Sequence, residues 1–313
     1  MGGKNLVGVS RQKLVGDFKF TKIPFPFDAE DYHYIPGLTR EHDAGFLTPV
    51  FLNREASIKY DVHPSYRVRF ASRTYGEIWQ NDFSILFGIS RNGKLVMWLG
   101  DIGRLLENEQ YYLRSENIPS DHSIGSEFYN GQIECVFTER TPEVKPFASR
   151  SNFIEVFHSY FGIRPANLEK EVLDLAITLQ WPVVDTPTAR RNVAEEMNKV
   201  YVESFDNAAL DMLVSANSLK PKGTGNLKRL QALLEAANSS ADVHNAMSPL
   251  FLLYDLHVAH SHLASDAGQE ARLMSVRQRP GLTGDAGLFA IYDAIVPALE
   301  NGFKVLGSAL YAT

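Results

Sequence analysis

The sequence predicts an α+β protein: a β-rich domain over residues 1–148 followed by an all-helical bundle over 149–313. Three observations carry this reading. Between residue 17 and about 140, short alternating or aromatic runs are separated by Gly, Asn and Pro, which is the period-two pattern of strands. From about residue 150 the apolar residues recur at three- and four-residue steps, which is the helical period. The length of 313 residues exceeds one average domain and leaves room for a sizeable core in each part.

In chain order, Ile23-Pro-Phe-Pro-Phe27 reads as a stiff extended arm, because proline fixes φ and removes ladder donors. Tyr66-Arg-Val-Arg-Phe70 and Phe83-Ser-Ile-Leu-Phe87 read as strands. Ile85-Leu-Phe-Gly-Ile89 and Leu95-Val-Met-Trp-Leu99 flank Ser90-Arg-Asn-Gly-Lys94, where Asn92-Gly93 offers the two positive-φ positions of a tight primed turn. Gln110-Tyr-Tyr-Leu113 reads as a further strand, and Gln132-Ile-Glu-Cys-Val-Phe137 alternates like one, which places Cys135 in the core as a buried apolar thiol.

In the second part, Leu168, Val172, Leu175, Ala176 and Leu179 mark a helix that stops before Pro182. The next opens with Thr186 as its cap and Pro187 in the first turn, and continues through Val193, Met197 and Val200. Helical character extends through 208–219, the breakers of 220–225 form an exposed loop, and a helix covers 227–237. A long helix begins near Ser240 or Asp242 and runs through Leu263, and the last spans roughly 285–311. Between these two lies a polar connector carrying Arg272, Arg277 and Arg279, the most cationic short stretch in the chain.

Composition narrows the function classes. Hydrophobic residues at 44% and charged residues at 22% are the balance of a globular protein, and a net charge of -6 argues against a chain-wide basic footprint for duplex nucleic acid. A lone cysteine makes no intrachain disulfide and no thiolate zinc site, so a reducing cytoplasm is the expected location. Met1-Gly-Gly-Lys-Asn-Leu6 has no signal-peptide core. Asp293, Glu300 and Lys304 interrupt the most apolar long stretch, so no membrane span or membrane partner is expected.

The densest proton-transfer chemistry is Tyr254-Asp-Leu-His-Val-Ala-His-Ser-His-Leu263, with Asp255 ahead of His257, His260 and His262. On a helix, 257 and 260 are near neighbours while 262 stands about 140° from 257 at ~100° per residue, so one helix does not aim all three at a single ion and no metal is expected there. The stretch resembles the catalytic motif of HEPN domains, an all-helical superfamily of RNases and toxins, in which Arg is followed after four to six residues by His on a long helix. His262 stands at the family's histidine and His257 at its arginine, over a resemblance spanning about 165–313. It implies a homodimer with two motifs in one groove, and RNA as the partner. It further implies His262 as general acid or base, with Asp255 or His257 orienting it or the phosphate. His260 belongs to the same candidate set, with Arg272, Arg277 and Arg279 as RNA contacts on the rim that replace the missing guanidinium. The nearly uncharged last helix is expected inside the bundle or at a subunit interface.

In the first part, Asp31-Tyr-His33, Asp61-Val-His63, Glu41-His-Asp43 and Asp121-His122 pair acids with imidazoles, and the polar window 114–127 offers Arg114 and His122 as ligand-loop candidates. The sequence reading is therefore a sensor domain joined to a HEPN-like bundle that binds or cleaves RNA without metal or cofactor, in a toxin or phage-defence setting. Two alternatives stand beside it: a non-catalytic dimeric interaction or sensor protein, and a metal-binding hydrolase built on the acid–histidine pairs.

Overall fold

The computed structural model describes residues 21–28, 31, 45–80, 83–136, 141–166, 169–238, 242–261 and 266–311. The chain is an α+β protein that divides into two compact units, residues 1–140 and 141–313. Among the described residues, no helix is long and apolar enough to cross a membrane.

The first unit is built on a five-stranded antiparallel sheet in the order β1-β5-β4-β3-β2, with β1 Pro49–Leu52, β2 Arg67–Ser72, β3 Tyr75–Gln80, β4 Phe83–Ile89 and β5 Leu95–Trp98. Pro49 opens an edge strand, where its missing N–H leaves no gap in the ladder. One face of the sheet packs Phe51, Val96 and Trp98 against Phe128 of the short helix α4 (Glu127–Tyr129), whose ring stacks on Trp98 at 5.0 Å. On the other face Ile78, Ile85 and Met97 meet Tyr60 of α1 (Ile58–Val62) and Leu113 of α3 (Glu107–Ser115), while α2 (Leu99–Ile102) continues directly from β5.

The hairpin forms between the expected strands, but with Gly88 facing Val96 and Ile89 facing Leu95 it is one residue out from the register that a two-residue Asn92-Gly93 turn sets, and it closes by a different turn. Only Gly93 has positive φ (78°), and Gly93 N–H donates to Ser90 O while Ser90 N–H donates to Lys94 O. That is a three-residue loop ending on a left-handed glycine, which needs one positive-φ residue where the primed turn needs two.

Two expected strands are helical. Gln110-Tyr-Tyr-Leu113 lies in α3, where Glu109, Gln110 and Leu113 share the buried face. Glu109 accepts both Lys59 Nζ at 2.7 Å and Tyr60 Oη at 3.0 Å, so a polar contact holds the helix where a three-residue apolar run does not fix a period. Residues 130–134 wind as a π-helical turn after α4, and Cys135 follows it at φ 54°. Its side chain is exposed, correcting the expectation of a buried strand thiol.

The second unit is all helical. Helix α5 (Val144–Phe161) starts ahead of the expected boundary, with Pro146 in its first turn and Gly162 (φ 74°) closing its end by donating N–H to His158 O. It is followed by α6 (Glu169–Ala176), α7 (Pro187–Asn198), α8 (Asn207–Ala216), α9 (Asn226–Ala237), α10 (Val243–Ser261), α11 (Asp266–Gln278) and α12 (Leu288–Tyr311). Thr186 Oγ1 accepts Ala189 N–H at the start of α7, as its position before Pro187 predicts. Asp206 and Asp242 cap α8 and α10 in the same way.

Helix α12 packs on α5 and α10 and carries the core, burying Ile291, Ile295, Leu299, Phe303, Leu306 and Leu310. A single chain covers all but a narrow stripe of it, Pro297, Asn301, Lys304, Ser308 and Tyr311, so the last helix lies inside the bundle. The arginine-bearing connector between the two long helices is itself largely helical, forming α11 and then the turn Pro280-Gly281. A run of polar residues conceals its period, because only Leu273 and Val276 face the core.

Candidate functional site

The site is built around α10. Asp242 sets its start, Pro249 and the apolar residues through Leu256 hold it in the core, and its last two described turns bring Asp255, His257 and His260 to the bundle's surface layer. Asp255 and His257 stand about 200° apart around the helix at ~100° per residue, and the partners of each confirm that they serve different sides.

On one side, Asp255 gathers two of the three candidate arginines. Arg279 NH2 forms an ion pair with Oδ2 at 2.6 Å, and Arg272 NH1 lies 3.8 Å from Oδ1. Two guanidinium groups therefore share one carboxylate, and both arginine side chains keep more than a third of their surface in solvent. These three side chains together carry one net positive charge. Arg277 is placed differently: its Nε donates to Ala286 O at 3.0 Å, its NH1 to Glu270 at 2.8 Å, and its side chain is only 12% exposed.

On the other side, α10 runs along α7. His257 acts on the charge of Glu195, and its Nδ1 lies 3.3 Å from Ser261 Oγ one turn on. His260 lines a small cavity of ≈ 10 Å³, the room of about one water molecule, together with Arg190, Arg277 and the apolar Leu256, Leu273 and Ile291. Burial lowers the His260 pKa below its ordinary 6.5, and the positive charges of Arg190 and Arg277 lower it further against the opposing pull of Asp185. The ring is neutral at pH 7, able to donate one hydrogen bond and accept another.

Arg190 and Asp185 were not singled out by spacing. Arg190 Nε donates to Asp185 Oδ1 at 2.5 Å, and Asp185 Oδ2 accepts the backbone N–H of Leu288 at 2.9 Å. Burial pushes the Asp185 carboxyl upward, but these two hydrogen bonds outweigh it and hold the group below the usual carboxylate range. The chain signals available were the helix cap beside Asp185 and the placement of Arg190 on α7, and neither points toward a histidine 70 residues later in sequence.

His262, the residue on which the HEPN resemblance turns, lies outside the described residues, as do His33, Glu41 and Asp43. The acid–histidine pairs of the first unit resolve in an unforeseen way. Asp61 and His63 are both exposed at the end of α1, whereas Asp31 and His122, members of two different pairs, meet. His122 Nδ1 lies 2.8 Å from Asp31 Oδ1, which also accepts Ser120 Oγ–H at 2.8 Å, and His122 adopts φ 59°. Asp121 ties the same loop to the hairpin through Asn92 and Lys94. Ser126 caps the following helix. Arg114 lies on α3 instead of in a loop. Among the described residues, no three His, Cys, Asp or Glu side chains gather in a way that holds a metal ion.

Comparison of the chain with models of protein families, with curated proteins and with solved structures finds no match.

Proposed function

We propose that the helical unit is a HEPN-like RNA-binding or RNA-cleaving module with His262 as general acid or base. The observation that carries this reading is the meeting of Arg272 and Arg279 on Asp255. The motif lacks its arginine, and these two side chains, 10 and 17 residues after His262 in sequence, bring guanidinium groups to Asp255 of α10, seven residues ahead of it. A phosphate approaching that end of α10 meets two planar donors already oriented by a carboxylate, the arrangement that suits bidentate phosphate recognition. His260, kept neutral, is a second proton carrier on the same helix.

The test is cleavage of labelled RNA by the purified protein, with His262→Ala, His260→Ala and Arg272→Gln/Arg279→Gln as variants and EDTA present. The reading expects cleavage without metal, its loss in His262→Ala with the fold retained, and weakened RNA affinity in the arginine double variant. Equal cleavage by His262→Ala removes that residue from the mechanism.

A second reading is a non-catalytic interaction or sensor module, favoured by His257 in the arginine position and by the hydrogen-bonded setting of Arg277. Under it, RNA remains uncut with and without divalent cations. Since one chain already covers α12, the homodimer implied by the resemblance needs a surface elsewhere on the bundle, and light scattering of the full chain decides whether it forms.

A further inference from the structure

The sheet of the first unit carries a basic and aromatic corner that none of the chemistry above uses. Strand alternation puts Arg67 and Arg69 of edge strand β2 on one face, and register places Trp79 of β3 opposite Arg67 on that face. Both guanidinium carbons sit near the Trp79 ring, at 5.9 and 5.6 Å from its centroid. Both arginines are exposed, and neither makes an ion pair to a carboxylate among the described residues. Glu77, the register partner of Arg69, is an acidic residue on the same face, so these three side chains carry one net positive charge. Helix α4 covers the half of this face around Tyr75 and Leu86 and is packed on Phe51 and Trp98, and it does not extend over Arg67 and Arg69, which are exposed.

We propose that this corner docks a single-stranded polynucleotide, with Arg67 and Arg69 on two phosphates and a base stacked beside the Trp79 indole. The choice of RNA as the polymer rests on the reading of the helical unit above. The surface itself is an independent observation in the other unit. The occupant follows from complementarity. Guanidinium groups one strand register apart, flanking a π face, match a chain that alternates phosphate and base, whereas an acidic peptide uses the cations but not the indole. Antiparallel sheets recognise unpaired bases by this combination of stacking and backbone contact.

The experiment is fluorescence anisotropy of the full chain with a short labelled single-stranded oligoribonucleotide of mixed sequence, in EDTA and over a salt series. Arg67→Gln/Arg69→Gln is expected to weaken binding about tenfold or more. It should also reduce the log–log salt slope by about 1.4, since each phosphate contact to a single strand contributes about 0.7. Trp79→Leu is expected to weaken binding at least about fivefold with the slope kept. Because the indole is partly buried, its circular dichroism and melting are compared with wild type, and the exposed arginine pair carries the test if that variant misfolds.

Absence of binding by wild type, or an unchanged affinity and slope in the arginine double variant, overturns the proposal. So does equal competition by polyglutamate, which would mark a general anion surface. The two readings fail separately. Binding lost in the arginine double variant with no cleavage by any form keeps this surface and removes the nuclease. His262-dependent cleavage with unchanged binding in the double variant does the reverse.

Discussion

Asp185 Oδ2 accepts the backbone N–H of Leu288 at 2.9 Å across 103 residues of sequence, so a loop carboxylate caps the first turn of the helix that forms the centre of the bundle. The same carboxylate holds Arg190, and Trp181 reinforces the joint by donating Nε1–H to Asp293 at 3.1 Å and stacking on Phe289 at 4.7 Å. A carboxylate at a helix N-terminus satisfies an orphan amide and faces the positive end of the helix dipole. Asp185→Ala is expected to lower stability by about 1–3 kcal/mol, read from chemical denaturation. A midpoint unchanged from wild type would mean the cap contributes nothing.

His260 titrates with a sign fixed by its surroundings. Its folded pKa lies below 6.5, so between 6.5 and that lower value the unfolded chain binds more protons than the folded one. Stability is fully present above pH 6.5 and falls as pH drops through this window. His260→Asn removes the titrating ring, and its melting temperature should vary less between about pH 7 and pH 5 than that of wild type. Parallel pH profiles would place the acid sensitivity in other groups.

Gly302 of α12 marks a close helix crossing. A Cβ there would stand 2.6 Å from Ala246 O of α10, a backbone atom that has no rotamer by which to yield. Alanine is the better helix former by about 1 kcal/mol, yet overpacking against a backbone carbonyl costs about 1–3 kcal/mol. Gly302→Ala is therefore expected to destabilise the protein, and a gain in melting temperature would show that the crossing relaxes freely.

Cys135 stands exposed after the π-helical turn. Ellman's reagent should modify one thiol in the native protein without denaturant, at a rate close to that of the unfolded chain. Modification seen only after unfolding would place the thiol in the core.

How far the site was legible in the sequence follows from the range of its contacts. Thr186-Pro187 announces α7, and Ser90–Lys94 announces the hairpin, because caps and turns are satisfied by residues within three or four positions. Asp255 and the histidines were visible as a cluster on a helix for the same reason. The strand readings at Gln110–Leu113 and around Cys135 failed because such short runs fit either period, and distant partners decide between them: Lys59 and Tyr60 for Glu109, and Lys22 for Gln110.

The sequence by itself determined the α+β division, the helical second half and the residue types capable of proton transfer, since these depend on local periodicity and on side-chain chemistry. Tertiary structure alone decided that Arg272 and Arg279 meet on Asp255, that Arg190 and Arg277 set the charge around His260, and that Arg67 and Arg69 flank Trp79. The reason is physical: hydrogen bonds and ion pairs between elements act over a few ångströms of space, and separation along the chain carries no record of that distance until the core has packed.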